Sequence, residues 1–175
     1  MHKPYPESPE PKLGDILLFS RPRRKRDWVI RWVTHSKYFH CAIYAGDWHV
    51  IEARPKGVAR NDLRGREHGF VTISAPEGKG EEALNWVRGK LGEGFDQMDM
   101  VVILLEHIFW HLRINYTPRG KYTCAELVVE AFRNCGVPLC PGKPMAQVVP
   151  DDFSKLIPAG LTPGVAPNPA VTKTE

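Results

Sequence analysis

The stretch "FHCAIYAGDWHVIEA", residues 39–53, contains the pattern that decides the fold. Two short apolar runs flank the pair Gly46-Asp47, which is the usual sequence signal of a β-hairpin. A histidine, His40, begins the first run, and a carboxylate, Glu52, lies near the end of the second run, twelve residues later. Because side chains alternate along a strand, these two groups share one face of the sheet in only one of the two simplest registers.

The hairpin loop decides that register. A two-residue turn pairs Glu52 with Cys41, on the face opposite His40. A three-residue loop over residues 46–48, or an equivalent bulge, pairs Glu52 with Ala42 and makes it a diagonal neighbour of His40. We expect the second arrangement, because an imidazole that serves a nucleophile needs a polar group to orient it.

The candidate nucleophile for this pair is Cys124. It lies at the start of a predicted helix, "TCAELVVEAFRNCGVP" (123–138), which Gly136 and Pro138 should end. Its position places it on the apolar face of that helix, and the first turn of a helix stabilises a thiolate. Position alone leaves two roles open, a small core residue or a nucleophile. The pair of His40 and Glu52 favours the nucleophile.

The remaining patterns predict an α+β fold with an antiparallel sheet packed against helices. Further strands are expected at 14–20, 57–61 and 70–74, and further helices at 26–36, 80–92 and 98–112. The proline-rich ends, 1–12 and 159–175, should be a flexible and a disordered tail around one folded domain at 13–158.

Composition is that of a single soluble globular domain, with 175 residues, 42% hydrophobic and 25% charged. The net charge of +4 is too small to indicate nucleic acid, so no such partner is expected. The N-terminus has no apolar segment typical of a signal peptide, which predicts a cytoplasmic protein with four free thiols. We expect neither metal nor cofactor, because Cys135 and Cys140 lack a second ligand pair and "HIFWH" (107–111) lacks the glutamate of a zinc protease motif.

Two of these motifs resemble a known family. The hairpin is similar to that of NlpC-type papain-like cysteine hydrolases, whose base histidine and its polar partner are also twelve residues apart. The cysteine motif "YTCAELVVEAF" follows the hairpin here, as in the circularly permuted branch of YiiX-like proteins and relatives of lecithin–retinol acyltransferase. "GDILLF" (14–19) and "VVPDDF" (148–153) extend the resemblance to residues 13–158. It implies a circularly permuted papain-like fold.

The resemblance also implies a reaction. Cys124 would attack an acyl carbonyl to give a thioester, His40 would handle the proton, and Glu52 would orient His40. The backbone N–H of Cys124 would help to hold the oxyanion, and Tyr122 would either add a hydrogen bond or only pack. Several relatives have histidine or a neutral amide where this chain has Glu52, and a carboxylate favours an ion-pair resting state. The implied activity is that of an amidase or peptidase on cell-wall-type peptides. Such an enzyme without a signal peptide would reach its target by lysis, a virion or a dedicated secretion route.

Two other functions stay open from the sequence. A lipid acyltransferase or thioesterase would suit the permuted order, the apolar helix 98–112 and the basic segment 21–32. That segment, "RPRRKRDWVIRW", would either contact an anionic polymer or membrane surface or be a solvated loop. A binding module that has kept the fold without turnover is the third reading. The oligomeric state is not specified by the sequence.

Overall fold

The computed structural model describes residues 10–20, 36–64, 69–95 and 121–156. Its main sheet has five antiparallel strands in the order β4-β3-β2-β1-β5. The strands are β1 (Ile16–Phe19), β2 (His40–Gly46), β3 (His49–Arg54), β4 (Gly57–Asp62) and β5 (Phe70–Ile73). A short parallel pair joins β6 (Gly94–Phe95) to β7 (Lys121–Tyr122). The helices are α1 (Gly80–Arg88) and α2 (Cys124–Asn134), followed by 3-10 turns at Met145–Gln147 and Pro150–Leu156.

The predicted α+β class with an antiparallel sheet is confirmed. The strands and helices expected in the described ranges are present, but the helix predicted over 80–92 ends at Arg88. The predicted helices 26–36 and 98–112, the basic segment 21–32 and the histidines of "HIFWH" lie outside the described residues, apart from Ser36. So do residues 1–9 and 157–175, which make up most of the two predicted tails. Within the described ranges, no helix has the length and apolar character needed to cross a bilayer.

The sheet buries apolar side chains on both of its faces. One face contributes Ile16, Leu18, Cys41, Ile43, Ile51 and Ala53, and the other contributes Leu17, Phe19, Ala42, Tyr44 and Val50. Helix α2 packs on the first face through Leu127, Val128, Ala131 and Phe132. Complete burial of a Leu, Val or Phe side chain stabilises a protein by roughly 1.5–3 kcal/mol, so this contact fixes where the helix begins relative to β2.

Candidate active site

The hairpin between β2 and β3 has the register that the sequence argument requires. Asp47 and Trp48 form a two-residue turn with φ angles of 49° and 56°, both in the left-handed region. The register shifts between Tyr44 and Gly46, and on the far side of this bulge Tyr44 pairs with Val50. Continued along the strands, the pairing brings Glu52 opposite Ala42. The predicted loop, in its form with an equivalent bulge, is therefore confirmed.

His40 and Glu52 are in direct contact on one face of the sheet. The Nε2 atom of His40 lies 2.5 Å from Oε2 of Glu52. Both residues are buried: His40 keeps 8% of its surface exposed to solvent, and Glu52 keeps none. Because Nε2 faces the carboxylate, Nδ1 is the ring nitrogen left to exchange a proton with another group.

Cys124 is held at the first position of α2 by a capping box. The side-chain oxygen of Thr123 accepts a hydrogen bond from the Glu126 backbone N–H, and the Thr123 backbone N–H donates to the Glu126 carboxylate. The signal for this start was present in the sequence as T-C-A-E, the capping-box spacing. As the first helical residue, Cys124 has a backbone N–H with no acceptor inside the helix, which suits it to bind an anion.

The other end of α2 also follows from its sequence. The helix ends at Asn134, and Gly136 has a φ of 78°. The N–H groups of Gly136 and Val137 donate to the carbonyls of Arg133 and Phe132, which is the Schellman arrangement. The helix stop that was predicted from Gly136 and Pro138 is confirmed.

The electrostatic surroundings of Cys124 favour its thiolate. A hydrogen bond from the Cys41 side chain lowers the pKa of Cys124 well below its ordinary value, and the charge and hydrogen bond of His40 and the Cys41 backbone act in the same direction. Burial opposes these effects but is outweighed. Burial and the neighbouring Cys124 instead raise the pKa of Cys41, which stays a thiol and can donate its S–H.

His40 is shifted in the complementary direction. Burial alone favours its neutral form, but the charges of Cys124 and Glu52 and hydrogen bonds with both raise the pKa of His40 to about 9. A lowered thiol pKa beside a raised imidazole pKa means that the proton resides on His40 near neutral pH. The pair can therefore rest as a thiolate and an imidazolium.

Helix α2 lies on the face of the sheet opposite to the side chains of His40 and Glu52. The helix packs on the face that carries Cys41, whereas His40 and Glu52 leave their strands on the opposite face. Adjacent residues of a strand point to opposite faces, yet Cys124 interacts with both His40 and Cys41. The thiol therefore lies beside the start of β2, where it can reach both residues.

Two residues of the site were missed from the sequence. Cys41 was read as an ordinary thiol, but it hydrogen-bonds Cys124 from the helix-facing side of β2. No sequence motif singles out Arg54, whose Nε atom lies 2.8 Å from Oε1 of Glu52. A signal for Arg54 existed, because residues two apart in a strand share a face.

Tyr122 is buried and contacts Trp86 and Lys90. Its ring meets the Trp86 ring edge-on, with centroids 6.2 Å apart, and the Lys90 amino group lies 5.8 Å from the ring centre. Burial raises the pKa of Tyr122, and Glu130 acts in the same direction, while a hydrogen bond with Lys90 opposes the rise. These contacts favour packing, and the hydrogen bond to an oxyanion stays a prediction.

Within the part of the chain that the structure describes, the other thiols and the acidic residues form no second candidate centre. All four cysteines are free, and burial raises the pKa of both Cys135 and Cys140. Among the residues that the structure describes, no group of three or more His, Cys, Asp or Glu side chains could hold a metal ion.

Comparison with protein families and with curated proteins identified no relative of this chain. The sequence matches no protein-family model, and it has no significant match among curated proteins. Function must therefore be argued from the site itself.

Proposed function

We propose that this protein is a cysteine hydrolase, an amidase or peptidase, which uses Cys124 as nucleophile, His40 as acid and base, and Glu52 as the group that orients His40. The observation that carries the proposal is the contact of 2.5 Å between buried His40 and Glu52, next to a helix-start cysteine whose pKa is lowered. A nucleophile, a base and an orienting group in contact are the parts that acyl transfer requires.

The reaction would proceed in two halves. The Cys124 thiolate attacks the carbonyl carbon of an amide, and the negative oxygen that forms is met by the backbone N–H of Cys124. The C–N bond then breaks, the departing amine takes the proton of His40, and a thioester remains on Cys124. Water attacks the thioester while His40 accepts its proton, which releases the carboxylic acid and restores the thiolate.

The fold and the substrate class belong to the same proposal. A hairpin that carries the base, followed by a helix that begins with the cysteine, is the chain order of circularly permuted NlpC-type papain-like proteins. We therefore propose the permuted papain-like fold, of the YiiX-like branch, and a peptide of the cell-wall type as substrate. The proposed partner is the substrate alone.

The test is turnover and adduct formation with a cell-wall-type peptide and, in parallel, a fatty acyl ester. We expect the wild-type protein to cut the peptide and to gain the acyl mass on Cys124. Cys124→Ala should bind the peptide and lose at least about a thousand-fold in rate, and His40→Ala should lose a similar share because the two residues act as a unit. Glu52→Gln should be milder, since an amide can still hold the imidazole.

The matched control is Cys135→Ala. Cys135 follows the far end of the same helix, where its thiol donates to the carbonyl of Ala131, and its removal should leave the rate unchanged. If the protein releases fatty acid and leaves the peptide intact, the proposed activity becomes that of a lipid acyltransferase or thioesterase. Binding of either substrate without any turnover would favour a binding module. Full activity in Cys124→Ala would remove every version of the hydrolase.

A further inference from the structure

The Glu52 carboxylate faces two cationic groups at once. Its Oε2 atom contacts His40, and its Oε1 atom lies 2.8 Å from the Nε atom of Arg54. The Arg54 Nε is buried and makes no hydrogen bond among the described residues, so this contact is an ion pair rather than a directed hydrogen bond. The rest of the Arg54 side chain is partly open to solvent, at 30% relative exposure.

Glu52 needs a positive charge beside it throughout the proposed reaction, and His40 alone does not supply one at every step. Glu52 is completely buried, and a buried carboxylate stays ionised only beside compensating charge. In the proposed reaction His40 gives its proton to the leaving amine in every turnover and is neutral until water has attacked. The guanidinium of an arginine does not lose its proton in a protein, so its charge persists through both halves.

The turn after β3 holds Arg54 in this place. Arg54 pairs with Gly57 at the end of the β3–β4 hairpin. Gly57 has a φ of 109°, and a side chain there would come within 2.6 Å of the Glu93 carbonyl oxygen. The backbone N–H of Val58 donates a hydrogen bond to that same oxygen at 2.8 Å, and this bond holds the hairpin against the segment just before β6.

We propose that Arg54 is a positioning residue of the active site, which keeps Glu52 ionised and aimed at His40 while His40 passes through its neutral state. This inference rests on the proposed function. It assigns Arg54 a part in the reaction that acts through Glu52. The charged and titratable groups that act on this carboxylate include Arg54, His40 and Cys41, whereas its partner on β4 is the uncharged Ala59.

The experiment measures the alkylation rate of Cys124 by iodoacetamide between pH 4 and pH 9 in wild type, Arg54→Met, Arg54→Gln and Arg54→Lys. Iodoacetamide is neutral and small, so its rate reports the thiolate and not substrate binding. Removal of the Arg54 charge should move the acid limb of the profile to higher pH by about one unit, because Glu52 then loses the opposite charge that favours its ionised form and stabilises the His40 imidazolium less. Arg54→Lys should recover most of the shift, and folding of each variant is checked by circular dichroism.

Arg60 supplies the matched control. It lies exposed on β4, with β3 between it and the strand of His40, and Arg60→Met removes the same charge and the same side-chain volume. Its profile should overlay that of the wild type. Steady-state turnover adds a second readout, in which Arg54→Met should lower kcat with little change in KM.

The outcomes separate the two proposals. An unshifted acid limb in Arg54→Met and Arg54→Gln would overturn the role of Arg54 and leave the nucleophile intact. A raised KM with an unshifted profile would make Arg54 a group that binds the substrate. If Cys124 of the wild type shows no thiolate at low pH, the proposed function fails first, and no property of Arg54 is needed to explain that result.

Discussion

At the scale of single residues, the site is a chain of charge that runs from Arg54 through Glu52 and His40 to Cys124. The charge state of each group depends on its neighbours. Glu52 contacts Arg54 and His40, and His40 lies between the Glu52 carboxylate and the Cys124 sulfur. Burial would favour the neutral form of Glu52, His40 or Cys124 if each stood alone. Together they favour their charged forms, so the proton rests on His40 and Cys124 is a thiolate, as the proposed reaction requires.

The raised pKa of His40 makes a prediction about pH. His40 must carry its proton to supply the leaving amine, so kcat/KM should fall as the pH rises through about 9. After the charge of Cys124, Glu52 is a further group that raises this pKa. Glu52→Gln removes that anion, and the falling limb should therefore move to lower pH.

The measurement is the pH profile of kcat/KM for wild type and Glu52→Gln, with Glu82→Gln as the control. Glu82 lies on α1, exposed and paired with Lys79, and its amide variant should keep the wild-type profile. A falling limb that stays in place in Glu52→Gln would separate Glu52 from the titration of His40.

At the scale of secondary-structure elements, α2 and the β2–β3 hairpin carry the site between them. The capping box of Thr123 and Glu126 fixes the residue at which α2 begins, and so it fixes Cys124. The bulge before Gly46 fixes the register, and so it brings Glu52 to His40. Neither element alone has a function in this account.

Removal of the helix cap tests how far α2 positions the nucleophile. Thr123→Val keeps the shape of the side chain but loses the oxygen that accepts from the Glu126 N–H, and it should cost about 1 kcal/mol in the free energy of unfolding. Urea unfolding measures this cost, and alkylation of Cys124 should slow in the same variant. Thr123→Ser keeps the oxygen and serves as the control. Equal unfolding midpoints for the two variants would show that the cap does not hold the helix start.

The hairpin register and the end of α2 could be predicted from the sequence. The spacing of residues 40 and 52 left two registers open, and the need of an imidazole for an orienting group favoured the one with a shared face. Gly136 and Pro138 predicted the end of α2. The face on which α2 packs was not predictable, because β2 is apolar on both sides: Cys41 and Ile43 on one, Ala42 and Tyr44 on the other. Only the assembled core decides between them, and with it the contact of Cys41 and Cys124.

At the scale of the whole molecule, the main sheet has apolar side chains on both faces. The candidate site combines groups from both of these faces at the start of β2. The helix lies on one face, the imidazole and the carboxylate leave from the other, and the thiol meets them beside the start of β2. The strands β6 and β7 were not expected from the sequence, since two residues each are too short to show alternation. They join the chain before α2 to the edge of the sheet at β4.

The four cysteines of the molecule offer the most direct test of the central claim, that Cys124 is an activated nucleophile. Its pKa is lowered, whereas the pKa values of Cys41, Cys135 and Cys140 are raised. The measurement is limited labelling of the folded protein with iodoacetamide near neutral pH, followed by peptide mapping. We predict that Cys124 is labelled first and far faster than the other three, and that His40→Ala removes this advantage because the thiolate loses its counter-charge. Equal labelling of the accessible cysteines, or no label on Cys124 in the folded protein, would contradict the account.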